Sequence, residues 1–117
     1  MEIDLELYRQ EVLVSTQPLV RLSAIDVSPD RPLRTMLFIH GYGGRATQWQ
    51  YQLKHFSDAN HVIAVDIRGH GRSDKPPLGY DMPRIVADLR AVLNSLGVTE
   101  PVVLGASRFE LAPISVM

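Results

Sequence analysis

Two runs of mixed apolar and polar residues, Leu5 to Val14 and Val20 to Val27, lie on either side of the turn-prone pair Gln17-Pro18 and predict an antiparallel hairpin. Pro29 and Pro32 punctuate a loop, and beyond it the pattern changes. Met36-Leu37-Phe38-Ile39 is apolar without a break, as are Val62-Ile63-Ala64-Val65 and Val102-Val103-Leu104. Such runs fit strands buried on both faces of a parallel sheet. Between the first two, Trp49, Leu53 and Phe56 recur at helical spacing within Gln48 to Phe56. Before the third, Ile85, Val86, Leu89, Val92, Leu93 and Leu96 form one helical stripe, with Asp81 as N-cap, Pro83 in the first turn and Gly97 as a left-handed stop. The order β-β-β-α-β-α-β predicts right-handed crossovers, a mostly parallel sheet and the α/β class.

Composition narrows the function classes. The chain has 117 residues, 45% hydrophobic and 21% charged, with mean hydropathy near zero, which fits one small soluble domain. A formal charge of -1 with scattered Lys and Arg argues against nucleic acid as a partner. The acidic start Met1-Glu2-Ile3-Asp4 does not resemble a signal peptide, and no apolar run is long enough to span a bilayer. No membrane partner is therefore expected, and a cytoplasmic location is. The absence of cysteine excludes disulfides and thiolate metal sites and fits a reducing compartment.

Candidate chemistry gathers where the apolar runs end. Val103-Leu104-Gly105-Ala106-Ser107 is a strand entering a G-x-S turn, the setting of a serine nucleophile. His40-Gly41-Tyr42-Gly43-Gly44 also leaves a strand, and its glycines let backbone N–H groups face outward. Such a loop suits the oxyanion of a tetrahedral intermediate, with the N–H of Tyr42 as one donor and that of Arg108 as the other. Two other readings stay open here. One is a plain tight turn. The other is a dinucleotide fingerprint, because Gly41-Tyr42-Gly43-Gly44-Arg45-Ala46 matches G-x-G-x-x-A and Asp66 follows as a ribose-binding acid.

The polar loop Asp66 to Pro76 alternates acids and bases, so its expected role is local order, His70 included. His40, His55 and His61 form no HxH or HExxH spacing, and no metal is expected.

Taken in order, Leu37-Phe38-Ile39-His40-Gly41-Tyr42-Gly43-Gly44, Trp49, Val65-Asp66-Ile67-Arg68-Gly69-His70-Gly71-Arg72-Ser73 and Val103-Leu104-Gly105-Ala106-Ser107 resemble the α/β-hydrolase fold family over about residues 35 to 108. The resemblance implies a partial α/β-hydrolase fold, with Ser107 as nucleophile and the amides of Tyr42 and Arg108 as oxyanion donors. It implies no cofactor, and a small acyl-type substrate cleaved at an ester, amide, thioester or carbon–carbon bond. Serine rather than aspartate at the nucleophile position argues against the dehalogenase and epoxide-hydrolase branches.

The tail departs from this pattern. Phe109 stands where the elbow has glycine, Pro113 interrupts the expected helix, and neither aspartate nor histidine follows Ser107. The expectation is a truncated N-terminal part of one hydrolase domain across 1–117, with residues 109–117 foreign to it through a frameshift or a gene-model error. Such a chain should be inactive alone and should self-associate through the uncovered edge of its last strand. A non-catalytic remnant or interaction module is the alternative from a different class.

Overall fold

The computed structural model describes residues 3–105. Its strands are β1 (Arg9–Thr16), β2 (Leu19–Val27), β3 (Thr35–Ile39), β4 (His61–Val65) and β5 (Val102–Gly105), and its helices are α1 (Gln50–Phe56) and α2 (Met82–Ser95). The predicted order of elements is therefore present. The hairpin starts later than its apolar pattern suggests. Leu5–Tyr8 forms a 3-10 turn because the Asp4 side chain accepts from the Glu6 amide at 3.1 Å and the Asp4 carbonyl accepts from Leu7 at 3.1 Å, so β1 begins at Arg9. Likewise, the run before α1 opens as a 3-10 turn over Ala46–Trp49.

The sheet order is β1-β2-β4-β3-β5. β3 pairs in parallel with both β4 and β5, whereas β2 is antiparallel to β1 and to β4. The sheet is thus mixed rather than mostly parallel, because the hairpin docks onto β4 in the opposite direction.

Burial explains why β3 and β4 read as continuous apolar runs. Leu37 and Ile39 of β3 and Ile63 and Val65 of β4 pack with Ile85, Leu89, Val92 and Leu93 of α2. The alternate residues Phe38, Val62 and Ala64 point to the other face, against Leu53 of α1, with Trp49 and Phe56 beside them. Strand period two sends successive side chains to opposite faces, and both faces here carry a helix. Each fully buried Leu, Ile or Phe contributes about 1.5–3 kcal/mol.

α2 starts with Asp81 in the N-cap position, although the Asp81 side chain makes no capping hydrogen bond. It stops where expected. Gly97 has φ +73, a left-handed conformation that lets the Val98 amide return to the Leu93 carbonyl at 2.9 Å.

Register decides what the sheet offers for chemistry. Ile39, the last residue of β3, is opposite Val65 on one side and Gly105 on the other. The C-terminal ends of β3, β4 and β5 therefore lie level with one another.

Candidate functional site

The loops after β3 and β4 are held together by two histidines working in opposite directions. Nε2 of His40, just after β3, accepts the Ile67 amide at 3.0 Å, while its Nδ1 donates to the Gly41 carbonyl at 2.7 Å. Nε2 of His70, in the β4 loop, accepts the Gly43 amide at 2.9 Å, while its Nδ1 donates to the Arg68 carbonyl at 3.0 Å. An imidazole that accepts at one nitrogen and donates at the other is neutral. Desolvation of the buried His40 ring lowers its pKa from the ordinary value, and the neighbouring His70 acts in the same direction.

Asp66, the first residue after β4, ties the same loops to the hairpin. It is 1% exposed, and its carboxylate accepts from the Ala46 amide at 2.6 Å, Arg9 Nη1 at 2.9 Å and the Arg72 amide at 3.1 Å. Arg9 in turn is gripped by Glu6, whose carboxylate also meets Arg72. The chain must pass close to this carboxylate, which explains Gly71: its φ is +51, and a Cβ there would lie 2.3 Å from the Asp66 carboxyl carbon. A little further on, Arg68 makes a bidentate buried pair with Asp88 of α2, at 2.6 and 2.9 Å. The loop is thereby locked to the helix as well as to the neighbouring loop.

Against this geometry the residues singled out in the sequence divide clearly. Tyr42 sits at the tip of the β3 loop with its side chain 72% exposed, beside an open cleft of about 560 Å³ walled also by Gly43, Arg45, His70 and Tyr80. The amides of Gly43, Gly44, Arg45 and Ala46 all donate to His70, Gly41, Gln48 and Asp66 respectively. The Tyr42 amide, by contrast, has no acceptor among the described residues, as an oxyanion donor requires. Ser107, Arg108, Phe109 and Pro113 lie outside the described residues. Gly105, the last described residue, is opposite Ile39.

The dinucleotide reading fails at its acid. Asp66 is buried and committed to Arg9, Ala46 and Arg72, so it is not presented to a ribose, and the amides after Gly43 are consumed within the protein. His70 does order its loop, as expected, and the sequence gives no sign that it reaches Gly43. The remaining histidines stand elsewhere: His61 binds Asp26 at the start of β4, and His55 is exposed against the edge of Phe56. Among the described residues no group of three or more His, Cys, Asp or Glu side chains is placed to hold a metal ion.

A family model described as alpha/beta hydrolase fold matches residues 34–108. The chain belongs to the alpha/beta hydrolase fold family, and it carries the N-terminal part of that fold. It is 40% identical over 88 residues to epoxide hydrolase 1 of Caenorhabditis elegans, covering 73% of this chain and 21% of that protein. It is 41% identical over 73 residues to a non-heme chloroperoxidase of Streptomyces lividans, covering 62% and 26%. Among solved structures, a probable hydrolytic enzyme of Pseudomonas aeruginosa superposes with a TM-score of 0.78 at 31% identity, covering 85% of this chain and 33% of the other. Est816, described as an N-acyl homoserine lactone degrading enzyme, superposes with a TM-score of 0.76 at 32% identity, covering 85% and 36%. The chain thus spans between a fifth and about a third of the length of these relatives. Relatives named as epoxide hydrolases are among them, so the separation from that branch expected above rests on Ser107 alone.

Proposed function

We propose that this chain carries the nucleophile and oxyanion half of a serine-type hydrolase centre, built for acyl or related bonds in a small molecule. The observation that carries it is the parallel pairing of Ile39 with Gly105: β3 and β5 end level with one another, β3 two residues before Gly41-Tyr42 and β5 directly before Ala106-Ser107 in the sequence. In this reading Ser107 attacks the substrate carbonyl, and the amides of Tyr42 and Arg108 stabilise the oxyanion. The likeness to Est816, whose description is of a lactone-degrading enzyme, supports an acyl substrate.

The described residues offer Ser107 no base. His40 and His70 have both ring nitrogens engaged, His61 is bound to Asp26 at the other end of β4, and His55 lies on α1. Loss of the base of a serine triad costs about 10⁶-fold in turnover, so the chain by itself is inactive in this reading. A cytoplasmic setting belongs to the same proposal, drawn from the absence of cysteine; no helix among the described residues is long and apolar enough to cross a membrane.

Two measurements test it. The chain contains no cysteine, so the pair Tyr42→Cys and Ser107→Cys can be joined by a short bifunctional thiol reagent, with Met36→Cys and Val102→Cys, partners across β3 and β5, as control. Efficient intramolecular crosslinking of both pairs is expected; a control that links while the first pair does not sinks the shared site. Hydrolysis of p-nitrophenyl acetate is expected to be equal for the chain and for Ser107→Ala, and turnover lost in Ser107→Ala would overturn the inactivity.

A second reading, an interaction module, is favoured by one feature. Among the described residues β5 is the last strand of the sheet, with none of its four residues buried and Val102 43% exposed, and an apolar edge of this kind pairs readily with a second copy.

A further inference from the structure

Away from the Tyr42 cleft, a groove of about 310 Å³ runs between the hairpin tip and the segment leading into α2. Its floor is Val20, fully buried, and its walls are Pro18, Pro76, Pro77 and Leu78. Leu78 is 79% exposed and adjoins Pro76 and Pro77, so the wall they form is a continuous apolar surface. The volume is at the lower end of the range for small-molecule sites, and the lining is apolar with few polar groups, as such sites are.

The charged side chains that line the groove have one sign. No carboxylate lines it among the described residues, and two guanidinium groups do, those of Arg68 and Arg84. Arg68 is neutralised by its bidentate pair with Asp88 and spends Nη1 on the Leu78 carbonyl at 3.2 Å. Arg84 differs, with no hydrogen bond or ion pair among the described residues. It also stands in the first turn of α2, where the helix dipole disfavours a cation and where Asp81 makes no capping bond. An anion beside Arg84 would relieve both effects.

We propose that this groove binds a medium-chain aliphatic carboxylate, its hydrocarbon chain along Pro76, Pro77 and Leu78 over Val20 and its carboxylate on Arg84. The proposal is independent of the Ser107 reading, because none of the groove residues belongs to the Tyr42 cleft.

Titration of the isotopically labelled 117-residue chain with sodium octanoate, sodium butyrate and octanol, followed by amide chemical shifts, tests it. Saturable shifts at Val20, Leu78 and Gly79 are expected, with affinity rising about fourfold per added buried methylene from butyrate to octanoate. Arg84→Gln, an exposed helix position, should weaken octanoate about tenfold and leave octanol within about twofold. Leu78→Asp should weaken both. Octanoate binding unmoved by Arg84→Gln, shifts centred on Tyr42 and His70, or no saturable shift at the three groove amides would each overturn the assignment.

Discussion

The rings of His40 and His70 lie 5.0 Å apart, and each accepts at Nε2 an amide from the loop to which the other belongs. This reciprocal arrangement helps to hold the β3 and β4 loops at a fixed spacing. It depends on each Nε2 remaining free to accept, and for the buried His40 that gives the first prediction.

Because burial lowers the pKa of His40 in the fold, the unfolded chain takes up a proton more readily than the native one. The associated stability is complete above the unfolded value of about 6.5 and is lost as pH falls through and below it. His40→Leu leaves the Ile67 amide and the Gly41 carbonyl without a partner, which should cost about 1–3 kcal/mol at pH 8. Thermal melts between pH 8 and 5 should show wild type losing stability faster than the variant. A gap in Tm that stays constant with pH would show that His40 does not titrate in this way.

Asp88→Ala should be among the most damaging single changes, by about 3–5 kcal/mol, since it strands the Arg68 guanidinium in a buried position. The double variant Arg68→Met, Asp88→Leu should recover most of that loss. Urea midpoints equal for single and double variants would mean that the damage comes from lost packing instead.

Gly71 and Gly43 offer a paired comparison. Both have positive φ, but a Cβ at Gly71 meets the Asp66 carboxylate at 2.3 Å, whereas one at Gly43 meets nothing within 4 Å. Gly43→Ala should therefore cost the conformational penalty alone, about 1–2 kcal/mol, and Gly71→Ala distinctly more. Calorimetric melts giving the same loss for both would contradict the tight approach to Asp66.

If the β5 edge associates with a second copy, Val102→Lys should shift the chain toward monomer in sedimentation velocity, since a charged residue on an edge strand opposes pairing. An unchanged distribution would remove the edge from consideration.

Much of the scaffold was legible because burial on both faces of the sheet leaves a direct trace: the runs at Met36 to Ile39 and Val62 to Val65 are β3 and β4, and the stripe from Ile85 to Leu93 is the buried face of α2. The first hairpin strand was placed too early because Leu5 and Leu7 sustain an alternating pattern while Asp4 turns the backbone. Nothing local announces the polar links. Arg68 and Asp88 are 20 residues apart, Arg9 and Asp66 are 57 apart, and a buried histidine such as His40 has no period to betray it. Asp66 was legible as a special acid but for the wrong reason, since a structural hub and a ribose ligand look alike in one dimension.

Tyr42 is held mainly by its neighbours: its side chain is mostly exposed and meets the His70 ring edge-on at 5.4 Å, while Gly41, Gly43 and the residues after them carry the loop's hydrogen bonds. Position 42 is consequently open to diversification: in the proposed reading, a saturation library there would alter the shape and polarity met by an incoming molecule while the loop's backbone hydrogen bonds stay in place. What a descendant of this chain accepts could then drift through one codon, long before its architecture had to change.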